Sequence, residues 1–358
     1  VVKIGSSSLA GKAGGLDGEA LARVTDHVAW AWGAGHPTVL VTSAAVAAGL
    51  PALGLRARPS DLPGLQAAAA VGQSRLMERY TAELAARSRV AGQVLLTKSV
   101  LADREQYLNS RRAFERMLGL GIVPIVNEND TVGVEELRLG DNDRLAALVS
   151  HLVGAGLLVL LTDTPGLFSA DPRTDEGAAL LSAVRHTDEI LDRLAAGGAG
   201  PLGSGGIGTK VAAARMAAWS GIPTVIASAG EPEVVRRAVL GEDVGTWVEP
   251  HAERLPARKL WIAFGQPAEG RLRVDRGAVE ALVHGGRSLL PVGVVGVEGE
   301  FSAGAAVEVL GPDGSLVAKG VVRLGSREVE AGRGTRGGPG PAEVIHRDDL
   351  VLLVAGRG

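Results

Sequence analysis

The sequence predicts an α/β protein: a large domain on a mainly parallel sheet, followed by a smaller, mostly β domain. Three observations predict it. Short apolar runs alternate with longer helical stretches from residue 1 to about 230. Those runs lack a polar face, as strands covered on both sides by crossover helices do. Beyond residue 268 the helical stretches give way to short runs separated by glycine turns. At 358 residues the chain is long for a single core, and two domains are expected. Their bounds are 1–245 and 269–358, with 246–268 as a linker.

Taken in order, "VVKI" (1–4) opens the sheet and a helix follows, with Leu21, Val24, Val28 and Trp32 on one face. "TVLVT" (38–42), "VAGQVLL" (90–96) and "IVPIV" (122–126) are the next strands. Leu145, Leu148, Val149, Leu152 and Val153 recur at helical spacing after "GDND", so a helix starts there with its acidic group in the first turn. One Asp or Asn suffices to cap it, and three in a row leave two polar side chains over. "LLVLLT" (157–162) and "TVIAS" (224–228) complete the strands, flanking the helical run "VAAARMAAWSG". "GEPEVV" and "EPHAERLPARK" break the pattern. "RLRVD", "VGVVGVEG" and the pair joined by "GPDG" then supply the β domain, since Pro and Gly provide the turn dihedrals. "GRGTRGGPGP" (332–341) reads as a low-complexity loop.

Composition excludes several classes. Hydrophobic residues make up 46% and charged residues 22%, with a formal net charge of -3, so nothing points to a polyanion binder. The absence of cysteine removes disulfides, thiolate metal sites and a cysteine nucleophile. No apolar run approaches the roughly 20 residues of a membrane span, and no charged-then-apolar leader precedes "VVKIG". A cytoplasmic protein without membrane association is expected.

In an open parallel sheet, ligands bind beyond the carboxyl ends of the strands, and there the polar groups gather: "GSSS", "SAA", "NEND" and "TDTPG". Lysine occurs only six times among 37 basic residues, so a lysine beside glycines invites a specific explanation. Lys210 closes "SGGIGTK" just before a helix, where backbone N–H groups and the helix N-terminus favour an anion. The spacing is not that of a P-loop, and no Ser or Thr follows the lysine; a plain glycine linker is the alternative. Lys3 stands at the end of a strand buried on both faces, which is costly unless its ammonium meets an anion or solvent. Gly5 and Ser6 then open a loop rich in donors. Carboxylates cannot sit near a triphosphate without cations between them, since like charges ~4 Å apart cost about 4 kcal/mol even at a dielectric of 20.

These pieces together resemble the amino acid kinase family, within it the glutamate-phosphorylating branch that carries a C-terminal PUA domain. "VVKIGSSSL", "VTSAAVAAG", "AAVGQSRLM", "VPIVNENDTV", "GDNDRLAAL", "LLTDTPGLFSADPR" and "GSGGIGTKVAAA" carry the resemblance in register, and "GAVEALVHGGRSLLPVGVVGVEGEFSAG" is similar to the PUA domain. It implies a three-layer αβα sandwich and transfer of the ATP γ-phosphoryl group, with Mg²⁺ carried by the nucleotide, to the side-chain carboxylate of L-glutamate. The product, L-glutamyl 5-phosphate, opens proline biosynthesis. By resemblance Lys3 and Lys210 stabilise the transferring group and Asp143 orients them. Ser43, Asp130 and Asn142 bind glutamate, with Asp141 beside them. Lys3, Gly5, Ser6, Thr162, Asp163 and the loop Ser204, Gly205, Gly206, Ile207, Gly208, Thr209 and Lys210 bind the nucleotide; no protein metal site is implied. Inhibition by proline, through a segment 127–142 that includes Glu136, and a homo-oligomer, dimer or tetramer, are further implications.

The family usually has glycine where this chain has Ala44, so close backbone approach there is in question; Phe168 and Arg144 also depart from its pattern. Acetylglutamate, aspartate, carbamate and uridylate kinases share the lysine and glycine logic and remain rivals. RNA binding through the second domain is disfavoured, because residues 260–358 carry 11 Lys and Arg against 12 Asp and Glu. Dinucleotide binding is disfavoured too, since no acidic residue follows "GSGGIG" at the spacing of a ribose contact.

Overall fold

The structure is a computed structural model that describes residues 1–11, 15–97, 100, 103–132, 142–197, 206–252, 254–266, 268–335 and 343–353. The chain divides into two compact units, Val1–Arg254 and Leu255–Gly358.

The first unit holds an eight-stranded sheet in the order β3-β4-β2-β1-β5-β7-β8-β6. Its strands are β1 (Val2–Ile4), β2 (Leu40–Val41), β3 (Val90–Leu96), β4 (Ile122–Glu128), β5 (Leu158–Thr162), β6 (Ala183–Arg185), β7 (Thr224–Ser228) and β8 (Thr246–Glu249). All neighbours are parallel except β7 and β8. Six strands fall where the apolar runs predict them. The apolar runs do not predict β6 and β8. β6 is only three residues long with Val184 its one buried residue, and β8 lies inside the stretch expected as linker, where it pairs with β7 and β6.

The helices are α1 (Ser6–Leu9), α2 (Gly18–Gly33), α3 (Ala45–Gly49), α4 (Leu62–Ala86), α5 (Arg104–Gly119), α6 (Asp143–Val153), α7 (Glu189–Gly197), α8 (Ile207–Trp219) and α9 (Val234–Leu240). Asp17, Asp61 and Asp103 cap α2, α4 and α5 with side-chain hydrogen bonds, which satisfies N–H groups that have no intrahelical partner. Strand residues alternate between faces. Val2, Ile4, Leu40, Ile125, Val159 and Leu161 share one core with Leu21, Val24 and Val28 of α2, Leu76, Tyr80 and Leu84 of α4, and Val234 and Val235 of α9. Lys3, between Val2 and Ile4, is therefore turned to the opposite face. α6 and α8 pack together, and Asp143 in the first turn of α6 meets both Lys3 and Lys210 of α8.

Glycine sets the contact between α3 and α4. A Cβ on Gly72 of α4 would lie 1.7 Å from the carbonyl oxygen of Ala45, and one on Gly49 would lie 2.0 Å from that of Ala68. α3 and α4 thus meet backbone to backbone, which only glycine permits.

The second unit is a five-stranded sheet, β10-β9-β11-β12-β13, formed by β9 (Gly270–Val274), β10 (Val294–Glu298), β11 (Ala306–Leu310), β12 (Leu316–Val321) and β13 (Leu350–Leu352), with α10 (Ala257–Leu260), α11 (Arg276–Val283) and α12 (Ser326–Gly332). β11 and β12 are the hairpin expected around "GPDG". Leu272, Val307, Val309, Val317 and Ile345 centre its core.

Candidate active site

β1, α6 and α8 converge on one carboxylate. Lys3 Nζ lies 2.5 Å from Asp143 Oδ1, and Lys210 Nζ lies 3.2 Å from Asp143 Oδ2. The Thr209 hydroxyl is 3.1 Å from that second oxygen. All three charged groups are buried, Lys3 at 2%, Asp143 at 0% and Lys210 at 8% exposure. Burying charge is expensive unless it is paired, and Asp143 pairs both lysines at once. Two ammonium groups thus share this one carboxylate. Asp143 and Lys210 both sit in first turns, where helix N-termini add partial positive charge. The cluster therefore suits an anionic ligand, and Gly5 leaves access open: a Cβ there would lie 3.4 Å from Lys3 Nζ.

Within "GDND", Asn142 is engaged otherwise than by capping. Asn142 occupies the N-cap position of α6 but makes no side-chain cap. Its Nδ2 donates instead to the Thr42 carbonyl at 2.6 Å and to Asn127 Oδ1 at 2.7 Å. Asn127 Nδ2 in turn donates to Gln73 Oε1 of α4 at 2.8 Å. This amide relay ties the carboxyl ends of β2 and β4 to α4 and α6. Ser43 Oγ, Asp130 Oδ1 and Asn142 Oδ1 are buried here without a hydrogen-bond partner among the described residues, an arrangement that protein interiors avoid unless a ligand completes it. Burial, reinforced by the nearby Glu128 and opposed by Arg58, pushes the Asp130 carboxyl up to about 7.

On the other side of Lys3, Thr162 and Asp163 end β5, with the threonine hydroxyl donating to Asp163 Oδ1 at 3.0 Å. They line a cavity of about 270 Å³ with Ser228 of β7 and with Arg23 and His27 of α2. That volume lies near the small end of ligand pockets.

The structure thus brings together Lys3, Asp143, Thr209 and Lys210, and places Ser43 next to Asn142 through Thr42. Gly5 and Ser6 follow β1 directly, Gly206 is the N-cap of α8, and Ile207 and Gly208 are that helix's first two residues. Asp141, Ser204, Gly205 and Glu136 lie outside the described residues. Ala44 adopts a left-handed conformation, φ 78°, so the glycine-like backbone is kept; its methyl is buried in the core shared by β1, α2 and α4. Arg144 is exposed. The sequence assigns no glutamate-binding role to Gln73 or to Asn127, the first residue of the segment read for proline inhibition. The available signal was a glutamine on the sheet-facing side of α4, in step with Gln66 and Tyr80 at seven-residue spacing.

Residues 1–228 match the amino acid kinase family, and residues 270–336 match the PUA domain. The chain is 48% identical over 367 residues to a protein of Frankia casuarinae named "Glutamate 5-kinase", covering 100% of this chain and 97% of that one. It is 47% identical to a protein of the same name from Streptomyces coelicolor, with 99% and 96% covered. A third, from Moorella thermoacetica, is 43% identical, also with 99% and 96% covered.

Proposed function

The chain belongs to the amino acid kinase family, and from that premise we propose that it transfers the γ-phosphoryl group of ATP to the side-chain carboxylate of L-glutamate, giving ADP and L-glutamyl 5-phosphate. The observation that carries this reading is the pair of buried ammonium groups held on one carboxylate between two helix N-termini. The relatives' shared name supplies the acceptor.

In this mechanism a carboxylate oxygen of glutamate attacks the γ-phosphorus while the bond from that phosphorus to the β,γ-bridging oxygen breaks. The attacking oxygen is already anionic at neutral pH, so no proton is removed. Catalysis then rests on alignment and on neutralising charge at the transferring group. Lys3 and Lys210 face its oxygens; Asp143 keeps the two ammonium groups at a fixed separation. Gly5, Ser6 and the segment 204–210 cradle phosphates, and Thr162 and Asp163 meet the nucleoside. Mg²⁺ bound with ATP adds neutralisation of the phosphate oxygens. Ser43, Asp130 and Asn142, with Asp141 beside them, bind glutamate, the acidic groups taking its ammonium. Proline inhibition, cytoplasmic location and assembly into a dimer or tetramer belong to the same proposal. Among the described residues no helix is long and apolar enough to cross a membrane.

The test is ADP release with L-glutamate, N-acetylglutamate, aspartate, carbamate or UMP as acceptor, with and without proline. Glutamate is expected to support turnover and proline to suppress it. Turnover on another acceptor in preference to glutamate would overturn the assignment.

A further inference from the structure

The amide relay has one orientation, and that orientation leaves a donor over. The Thr42 carbonyl can only accept, so the atom of Asn142 that lies 2.6 Å from it is Nδ2. The same nitrogen donates to Asn127 Oδ1, an oxygen that also accepts the backbone N–H of Glu128 at 3.0 Å. Asn127 Nδ2 is thereby turned to Gln73, which must answer with Oε1. Gln73 Nε2 is left buried and without a partner among the described residues. Its place is set by packing: the neighbouring Gly72 lies against the Ala45 carbonyl, which brings this turn of α4 onto the loop carrying Thr42, Ser43 and Ala44.

Among the described residues, Gln73 Nε2, Ser43 Oγ, Asn142 Oδ1 and Asp130 Oδ1 therefore stand buried without a hydrogen-bond partner around the carboxyl ends of β2 and β4. Leaving such atoms unpaired is costly. The first two can donate and the last two can accept, which complements a small ligand with an anionic end beside a cationic one. An α-amino acid has that form.

We propose that Gln73 is a substrate-binding, specificity-determining residue whose Nε2 donates to the α-carboxylate of the acceptor amino acid, with Ser43 as the second donor and Asp130 and Asn142 receiving the α-ammonium. This rests on the glutamate reading above. It separates the roles within the site: the α-carboxylate faces α4, so the side-chain carboxylate is free to extend toward Lys3 and Lys210. Charge-assisted hydrogen bonds exceed neutral ones, so Gln73 selects a carboxylate over a carboxamide at that position.

The test compares L-glutamate with its α-carboxamide, L-isoglutamine, in wild type and Gln73→Glu. The variant keeps an oxygen for Asn127 Nδ2 but replaces the donor with an anion. The ratio of kcat/KM for glutamate to that for isoglutamine is expected to fall by roughly tenfold or more, mostly through the KM for glutamate, with the KM for ATP unchanged. A ratio that stays within twofold of wild type, both substrates falling together, would make Gln73 a structural brace and overturn the proposal. Should Gln73→Glu not fold, Gln73→Met, which has neither donor nor charge, is read by the same ratio. If wild type fails to phosphorylate glutamate at all, the acceptor assignment is what fails.

Discussion

Lys3 on the first strand of the sheet lies 2.5 Å from Asp143 in the first turn of α6, and Lys210 meets the other oxygen of the same carboxylate. Asp143 thus positions two cations that the chain delivers from distant segments. Lys3→Ala or Lys210→Ala should lower kcat about 10²- to 10³-fold, the scale of losing one group that stabilises transition-state charge. KM for glutamate should move little in either variant, as steady-state kinetics will read directly.

Asp143→Ala is expected to behave differently, because it leaves two buried ammonium groups without their shared carboxylate. Removing one partner of a buried ion pair costs about 3–5 kcal/mol. Chemical denaturation should register that loss, whereas Lys3→Ala removes one of the two cations and should destabilise less.

The pH dependence follows from Asp130. Its carboxyl is raised from 3.8 to about 7 by burial and by Glu128, so the folded protein holds this proton across a range where the unfolded chain has released it. Stability from this group therefore falls as pH rises from about 4 to 7, and Asp130→Asn should stabilise the ligand-free protein, most clearly above pH 7. If Asp130 receives the ammonium of glutamate as proposed, that ammonium favours the ionised form, and KM for glutamate should drop as pH rises through 7 in wild type. That slope should vanish in Asp130→Asn, whose affinity is lower throughout.

Asn142→Ala breaks the relay at its root and leaves the Thr42 carbonyl and Asn127 Oδ1 without the donor they share. A loss of about 1.4 kcal/mol, tenfold in KM for glutamate, is expected, with KM for ATP unchanged.

Two backbone positions offer a stability test apart from the chemistry. Gly72→Ala would put a Cβ 1.7 Å from the Ala45 oxygen and should cost roughly 3 kcal/mol by prising α3 from α4. Ala44 already occupies a left-handed conformation, so Ala44→Gly exchanges relief of about 1 kcal/mol of strain for a lost buried methyl worth about 0.8 kcal/mol. Melting curves should show nearly no change for Ala44→Gly and a large drop for Gly72→Ala.

Much of this site was legible because its signals are local. Lys3 and Lys210 stand out against an arginine-rich background, each beside glycines, and the long apolar runs mark β1, β3, β4, β5 and β7. β6 and β8 were hidden by brevity: three and four residues at one side of the sheet, with no apolar run to announce them. Asn142 was readable as a cap because capping is what such a residue does by default at a helix start; its actual partners are Thr42, just beyond β2, and Asn127 of β4. Gln73 was silent for a similar reason. Its meaning depends on an amide brought from β4 and on the Gly72 contact, neither of which any spacing within α4 expresses.

The ammonium groups of Lys3 and Lys210 are proposed to act on a phosphoryl group passing from ATP to glutamate. The most direct measurement is glutamyl phosphate trapped by hydroxylamine, counted against ADP released, for wild type, Lys3→Ala and Lys210→Ala. One hydroxamate per ADP in wild type, and a loss of about 10²-fold or more in both variants, is the predicted result; ADP without hydroxamate, or variants that turn over at wild-type rate, would contradict it.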